Sequence, residues 1–327
     1  MNILVTGGAG FMGSHIAEEL VKTSTKVVVL DDLSGGFERN VPKGAVFING
    51  SIVDTHLINE IFEQYKFEYV FHLAAYAAEG LSHFIRKFNY ENNLIGSVNL
   101  INASVKYVKC FVFTSSIAVY GALKPPFTEE MPLSPEDPYG IAKYAVEMDL
   151  HAAHKMWGLN SIIFRPHNVY GERQNIGDKY RNVIGIFMNQ VVQGKDITIF
   201  GDGEQKRAFT YIKDTSSIIA ESIFNPKAYN QTFNIGSDKV YTVNELANLV
   251  LEIMGANNKI IHLPERNEVK NAYSSHKKAS RILGYKWKTD LKEGVALMAQ
   301  WVKQQGIRKS QDFSNIEVPI NMPKSWR

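Results

Sequence analysis

Short apolar runs alternate with longer amphipathic stretches through the first half of the chain. Candidate strands fall at residues 2–6, 26–30, 45–49, 69–73, 109–114 and 160–165. Stretches with helical spacing separate most of them, at 11–22, 55–65, 87–106 and 139–157. The strand segments are near-continuous apolar runs, as burial on both faces requires. Strand and helix in alternation predict an α/β fold, a parallel sheet covered on both sides. Beyond Arg165 the rhythm loosens. Residues 166–182 read as loop, 182–194 as helix, and 197–200 and 209–212 as strands around the turn Gly201-Asp202-Gly203. Thr242-Val-Asn-Glu245 is a capping box that opens a helix to about Met254. Two further helices are expected at 275–283 and 291–304, and the polar stretch 305–327 is expected to wrap the surface.

The first turn carries the strongest chemical signal. Gly7, Gly10 and Gly13 follow the first strand at three-residue spacing, and helical spacing begins at Phe11. A tight turn, a close approach to pyrophosphate and close helix–strand packing each need a residue without Cβ. The free N–H groups at the helix start then face an anion. Asp31 ends the second strand, 18 residues beyond Gly13. That is the distance at which a carboxylate reaches the adenosine ribose. Within about 4 Å it repels a 2′-phosphate by roughly 4 kcal/mol at an effective dielectric of about 20, so the site should select NAD over NADP. The next arginine is Arg39. Strand, glycines and acid together predict a Rossmann-type doubly wound sheet over residues 1–166, completed by parts of 207–236. A smaller mixed α/β lobe, mainly 167–327 and interleaved with the first, would bind substrate beyond the carboxyl ends of the strands.

A second constellation lies at that edge. Thr114-Ser115-Ser116 follows the fifth strand, and Tyr139 and Lys143 open a later helix four residues apart, on one face. A phenol with a pKa near 10 is a poor base at neutral pH. Bringing it to about 7 takes roughly 4 kcal/mol, which a neighbouring ammonium and an oxidised nicotinamide can supply together. A serine hydroxyl from the 115–116 turn would bind the substrate oxygen and relay its proton.

Composition narrows the partners. A net charge of +3 gives no reason to invoke nucleic acid, and the late basic residues Lys270, Lys277, Lys278 and Arg281 read as a solvated helix face. Cys110 is the one cysteine, so no intrachain disulfide forms; it falls in an apolar strand. No metal site is expected, since no Cys/His cluster has ligand spacing. His151 and His154 share a helix without further ligands. No signal peptide and no apolar stretch of about 20 residues are evident, so a cytoplasmic protein with no membrane partner is expected.

TGGAGFMG, HLAA at His72–Ala75, FTSSIAVYG and PYGIAK resemble the extended short-chain dehydrogenase/reductase family. The likeness is strongest to its nucleotide-sugar epimerases, of the UDP-glucose 4-epimerase and UDP-glucuronate type, and runs from Met1 to about Leu291. It implies a catalytic set of Ser116, Tyr139 and Lys143 with Thr114 as a second hydroxyl. It implies NAD held by Gly7, Gly10, Phe11, Met12, Gly13, Asp31, Asp32, Ser34, Ser51, Ile52, Leu73, Ala74, Ala75 and Asn93, together with Tyr139 and Lys143. A UDP-sugar would lie against Ser116, Asn168, Phe200, Arg207, Arg266 and Glu268: Asn168 and Arg207 at the phosphates, Phe200 near the uracil. A guanidinium fork suits phosphate oxygens. A homodimer is implied through the helices at 87–106 and 139–157.

Three departures stand out. Where the family often has Asp after its third strand, this chain has Asn49-Gly-Ser51-Ile52. Residues 75–86, AYAAEGLSHFIR, are unlike the usual sequence after HLAA, so the substrate wall differs. The late phosphate-binding run reads Pro264-Glu-Arg266-Asn-Glu268. The expected reaction is NAD-dependent C4 epimerisation through a 4-keto sugar, with Tyr139 as base. UDP-glucuronate 4-epimerisation or decarboxylation stays open, because Arg86, Arg173 or Arg181 could receive a carboxylate. A 4,6-dehydratase is disfavoured because no carboxylate follows Thr114, and a non-catalytic NAD-binding scaffold because Tyr139 and Lys143 are both present.

Overall fold

The computed structural model describes residues 1–23, 26–266, 268–309 and 312–326. At its centre is a seven-stranded parallel sheet. Six strands come from the first half of the chain: β1 (Asn2–Thr6), β2 (Lys26–Asp31), β3 (Val46–Asn49), β4 (Tyr69–His72), β5 (Cys110–Thr114) and β6 (Ser161–Pro166). The seventh, Gln231–Ile235, pairs with β6. The order runs from Gln231–Ile235 through β6, β5, β4, β1 and β2 to β3. Winding therefore reverses between β1 and β4, and ligands of such sheets enter at that crevice.

Period-two alternation sorts the strand side chains into two layers. Ile3, Val5, Val27, Val29, Phe71 and Cys110 pack on one face with Ile16 and Leu20 of α1 (Phe11–Val21). Leu4, Val28, Leu30, Val70 and Phe111 pack on the other with Ile58, Ile61 and Phe62 of α2 (Thr55–Tyr65). Each such side chain, fully buried, contributes about 1.5–3 kcal/mol. α2 starts where Asp54 accepts the Leu57 N–H at 3.0 Å. It stops at Lys66, which takes a left-handed conformation with φ +48°.

Several elements differ from the sequence pattern, among them the helix Lys213–Glu221 and the strand Ile260–Leu263, which it did not mark. The single helix expected at 87–106 is broken into Arg86–Tyr90, a π-turn at Glu91–Ile95, and Gly96–Ser104. The π-turn holds Asn93, whose buried amide bonds elsewhere in the fold. The strand expected at 209–212 is shorter, Thr210–Tyr211, and a separate strand, Lys206–Ala208, precedes it, because the chain passes from one small sheet to another there. Gln231–Ile235 lacked an apolar signature, since its Asn234 is buried and satisfied by Tyr120, whose hydroxyl donates at 2.9 Å.

The remainder packs beyond the carboxyl edge of the sheet. Val183–Val192, Val243–Met254 and Leu291–Gln305 enclose a core that includes Phe187, Ile199, Leu246, Val250, Val295 and Met298. The capping box is present: Thr242 Oγ1 accepts the Glu245 N–H at 3.1 Å, and Glu245 accepts the Thr242 N–H at 2.7 Å. Residues 312–326 form a strap. Phe313, Ile316, Met322 and Trp326 pack on Ala78, Leu81, Ile85 and Tyr180. Glu317 accepts the N–H groups of Lys87 and Phe88 at 2.7 and 2.9 Å, satisfying the start of Arg86–Tyr90. Among the described residues no helix is long and apolar enough to cross a membrane.

Candidate active site

The turn after β1 is built around two missing side chains. Gly7 has φ +69°, and a Cβ there would lie 2.7 Å from the Ala74 nitrogen. One on Gly13 would lie 2.1 Å from the Gly7 oxygen. α1 begins without a side-chain cap and without an acid in its first turn. Its first internal bond is from Ser14 N to the Gly10 oxygen, at 3.1 Å. The N–H groups of Phe11, Met12 and Gly13 thus point out of the helix start. Asp31 stands beside them. Its carboxylate accepts Ala9 N at 3.0 Å and Leu33 N at 2.8 Å, which leaves about two of its four lone-pair positions open. Burial pushes its pKa up, and those two backbone bonds oppose the shift.

A cleft of about 830 Å³ runs from this cradle to Phe200, Arg207 and Arg266. The sequence-predicted cofactor residues Gly7, Gly10, Phe11, Met12, Gly13, Asp31, Asp32, Ser34, Ser51, Ile52, Leu73, Ala74 and Ala75 line it. So do Thr114, Ser116, Tyr139 and Lys143, and on the far side Asn168, Phe200, Arg207, Arg266 and Glu268. Asn93 does not. It is buried behind the wall, where its Oδ1 accepts Tyr76 N at 2.8 Å and its Nδ2 donates to Tyr76 O at 3.1 Å. It shapes the wall through Tyr76; its neighbour Asn92 faces the cleft. Residues with a buried hydrogen-bonding role and residues at a site look alike in sequence.

At the end of β5, Ser116 caps the turn Ile117–Tyr120, its Oγ accepting Ala118 N at 3.1 Å. Tyr139 is the second residue of the helix Pro138–Trp157, which Asp137 caps by accepting Gly140 N at 2.9 Å. Proline at the first position costs that helix no hydrogen bond. The cap therefore fixes where the phenol sits. Lys143, one turn on, donates from Nζ to the Thr114 carbonyl at 2.8 Å. Burial drives the two groups apart: the Tyr139 phenol is pushed up, against its hydrogen bond with Ser116, and the Lys143 ammonium is pushed down to about 7, against support from Glu147. An isolated phenolate or ammonium is disfavoured there, and the two charges together offset one another. Thr114 Oγ1 and Ser115 Oγ, on residues 8% and 3% exposed, have no protein partner. Buried polar atoms left open this way await one.

A hydrogen-bond chain underlies the cofactor side. Ala74 N donates to Thr6 Oγ1 at 3.3 Å, and Thr6 Oγ1 meets His72 Nδ1 at 2.8 Å. His72 Nε2 meets Ser97 Oγ at 2.8 Å, and Ser97 donates to Asn93 O at 2.9 Å. Read from its ends, the chain puts the imidazole proton on Nε2. Burial, then the charge of Lys143, hold its pKa well below the usual value, so the ring is neutral. HLAA is legible as a motif; this relay is what its histidine does.

The substrate side is more crowded than the sequence implied. Asn168 has φ +42° and donates to Ala208 O at 3.1 Å. Arg207 donates to the Lys270 carbonyl at 2.8 Å. The Arg266 guanidinium stacks at 4.6 Å from the Phe200 ring centre and 5.3 Å from that of Trp326, and pairs with Glu268 at 2.7 Å. Glu79, Asp137 and Trp326 also line the cleft and were not singled out in sequence. Trp326 sits in a polar tail with no periodicity to mark it. Of the arginines considered for a carboxylate, Arg86 is exposed with its guanidinium over Tyr90 and Arg173 pairs with Glu18. Arg181 lines the cleft but pairs with Asp178 at 2.6 Å.

Residues 3–236 match the NAD dependent epimerase/dehydratase family. The chain belongs to that family. It is 36% identical to a putative UDP-glucose 4-epimerase of Methanocaldococcus jannaschii over 92% of this chain and 98% of that one. Among solved structures, the Thermotoga maritima UDP-glucose 4-epimerase with UDP-glucose superposes with a TM-score of 0.88 at 37% identity, covering 93% and 99% of the two chains. The Thermus thermophilus UDP-glucose 4-epimerase in complex with NAD does so with 0.87 at 31%, covering 92% and 98%. Other relatives are named a UDP-N-acetyl-glucosaminuronate decarboxylase and a UDP-glucuronic acid 4-epimerase.

The cofactor of this epimerase/dehydratase family member is NAD. The chain's own features fit it: a side-chain-free turn, three N–H groups at the start of α1, and an acid with open lone pairs beside them. The fold is the family's Rossmann-type α/β architecture, and the protein is an enzyme of that family.

Proposed function

We propose that the protein interconverts the C4 epimers of a UDP-sugar of the glucose/galactose type through a transient 4-keto sugar. The observation that supports this reading best is the meeting of Ser116 and Tyr139 at the carboxyl edge of β5, with Lys143 one turn behind. Tyr139 accepts the proton of the 4-hydroxyl, directly or through the Ser116 hydroxyl, and later returns it. Lys143, fixed on the Thr114 carbonyl, offsets the phenolate charge. Bound NAD supplies a reversible hydride acceptor, so the reaction has no net oxidation. Asn168 and Arg207 hold the diphosphate while the sugar turns about it, and Phe200 packs by the base. Asp31 holds the ribose and disfavours a 2′-phosphate.

Two measurements check this. Purified protein, with no NAD added, is incubated separately with UDP-glucose, UDP-N-acetylglucosamine and UDP-glucuronate, and products are resolved by NMR. A 4-epimer is the expected product and shows that NAD is retained; a pentose with carbon dioxide would replace this reading by decarboxylation, and no product, even with NAD added, by another nucleotide sugar or a non-catalytic role. For cofactor choice, Asp31→Asn is expected to shrink the preference for NAD over NADP by at least about tenfold, the effect of removing a charge worth about 1.4 kcal/mol or more. Titration of both dinucleotides into cofactor-free protein reads it, and an unchanged ratio removes Asp31 from the discrimination.

A further inference from the structure

The cleft wall that departs most from the resemblance is where the sugar's charge can be read. After β4 the chain forms the short helix Glu79–Ser82, and the Glu79 side chain opens onto the cleft. The charged groups facing it are Asp137 at the start of Pro138–Trp157, Arg207 on Lys206–Ala208, and Arg266 and Glu268 beyond Ile260–Leu263. Tyr139 in turn feels Glu79 and Asp137. His83, on the next turn, faces Asp137. Glu79 therefore lies between the phenol at one end and two guanidinium groups at the other.

On the C4-epimerase reading, that span is the sugar, with C4 at Tyr139 and the C1 diphosphate at Arg207. A carboxyl placed along it faces the ring substituents. Its position is braced: Ser82 Oγ donates to the Glu79 backbone oxygen at 2.6 Å and lies 3.3 Å from Asp137 Oδ1. An independent feature marks the same cleft as a place for a polar ligand. Thr114 Oγ1 and Ser115 Oγ, both on residues more than nine-tenths buried, have no partner and line it. No unpaired cation offsets a uronate among the arginines considered for it, since Arg181, the one at the cleft, is committed to Asp178.

We propose that Glu79, backed by Asp137, is a specificity residue that faces the hexose ring and turns away sugars with a carboxylate at C6, committing the cleft to neutral UDP-hexoses. The proposal rests on the C4-epimerase reading. Desolvation against the cleft wall, with repulsion from Asp137, pushes the Glu79 carboxyl up, while Arg207 and Arg266 oppose the shift. Selection is therefore pH-dependent. Protonation of a carboxyl shifted upward removes its charge as pH falls, so the repulsion fades from pH 8 towards pH 6.

The test is calorimetric binding of UDP-glucose and UDP-glucuronate to the NAD-loaded protein at pH 8 and pH 6, with kcat/KM for each, in wild type and in Glu79→Gln. At pH 8 the wild type is expected to favour UDP-glucose by at least about tenfold, the preference narrowing several-fold at pH 6. Glu79→Gln is expected to lose most of the preference and its pH dependence together. A wild type that binds UDP-glucose and UDP-glucuronate alike at pH 8 overturns the proposal, and it decides the matter even where the variant fails to fold. A ratio that survives unchanged in a folded Glu79→Gln protein overturns it equally. Turnover of both sugars with equal efficiency sinks this proposal and leaves the epimerase reading standing. Charge-selective binding without turnover of either sugar does the reverse.

Discussion

Tyr139→Phe is expected to lower turnover at least about 10²-fold, the low end for a lost general base, with NAD still bound. The phenol ring stays in place in this variant, since its position comes from the Asp137 cap and the start of Pro138–Trp157 rather than from its hydroxyl. What disappears is the atom that, in the proposed mechanism, exchanges a proton with the substrate. Burial makes that atom hard to ionise alone, and Lys143 hard to keep charged alone. Each charge needs help from its surroundings: Ser116 bonds the phenol, and Glu147 favours the ammonium. Turnover is measured with the UDP-sugar that the wild type converts, and bound NAD from the absorbance of the denatured protein's supernatant. A variant that turns over at the wild-type rate removes Tyr139 from the mechanism. One that loses NAD as well would mean that the hydroxyl holds the cofactor.

Glu147→Ala is expected to destabilise the fold by about 3–5 kcal/mol, the cost of leaving a buried charge without its partner. Glu147 is 1% exposed and Arg165 4%. Arg165 Nε donates to Glu147 Oε1 at 3.0 Å, and its Nη1 donates to the Tyr120 hydroxyl at 2.7 Å. Tyr120 passes the chain on to Asn234 in the edge strand, so the network ties the catalytic helix to β6 and to the last strand of the sheet. Burial works against the guanidinium charge, and Glu147 more than offsets it. Urea unfolding followed by circular dichroism reads the loss; a change below about 1 kcal/mol, the worth of an exposed pair, would show that water reaches Arg165. The same substitution withdraws the carboxylate that supports the Lys143 charge, so turnover at neutral pH should fall further than stability alone explains.

Much of the frame was legible because its causes are local. Six sheet strands are uninterrupted apolar runs, α2 is announced by Asp54 three residues ahead of its first hydrogen bond, and Thr242-Val-Asn-Glu245 closes on itself. Gly7 and Gly13 were readable because a clash at one atom forbids every other residue. What the sequence concealed is set by distant partners. Gln231–Ile235 is a strand because β6 has a free edge, not because its residues alternate. The resemblance implies Asn93 at the cofactor, yet its amide is spent on the Tyr76 backbone. Glu79 becomes notable only when Asp137, Arg207 and Arg266 converge on it, from segments up to 187 residues away.

The strap has a further consequence, in the order of events on the ribosome. Glu317 caps a helix whose first N–H groups were made 229 and 230 residues earlier. The sheet, with its glycine turn and Asp31, is complete in sequence at Ile235; Trp326 follows 91 residues later. At typical synthesis rates that interval is roughly 5–20 s. Through it, a nascent chain has the whole dinucleotide cradle while the wall carrying Glu79 still lacks its brace. Cofactor can be captured before a sugar site exists to receive anything.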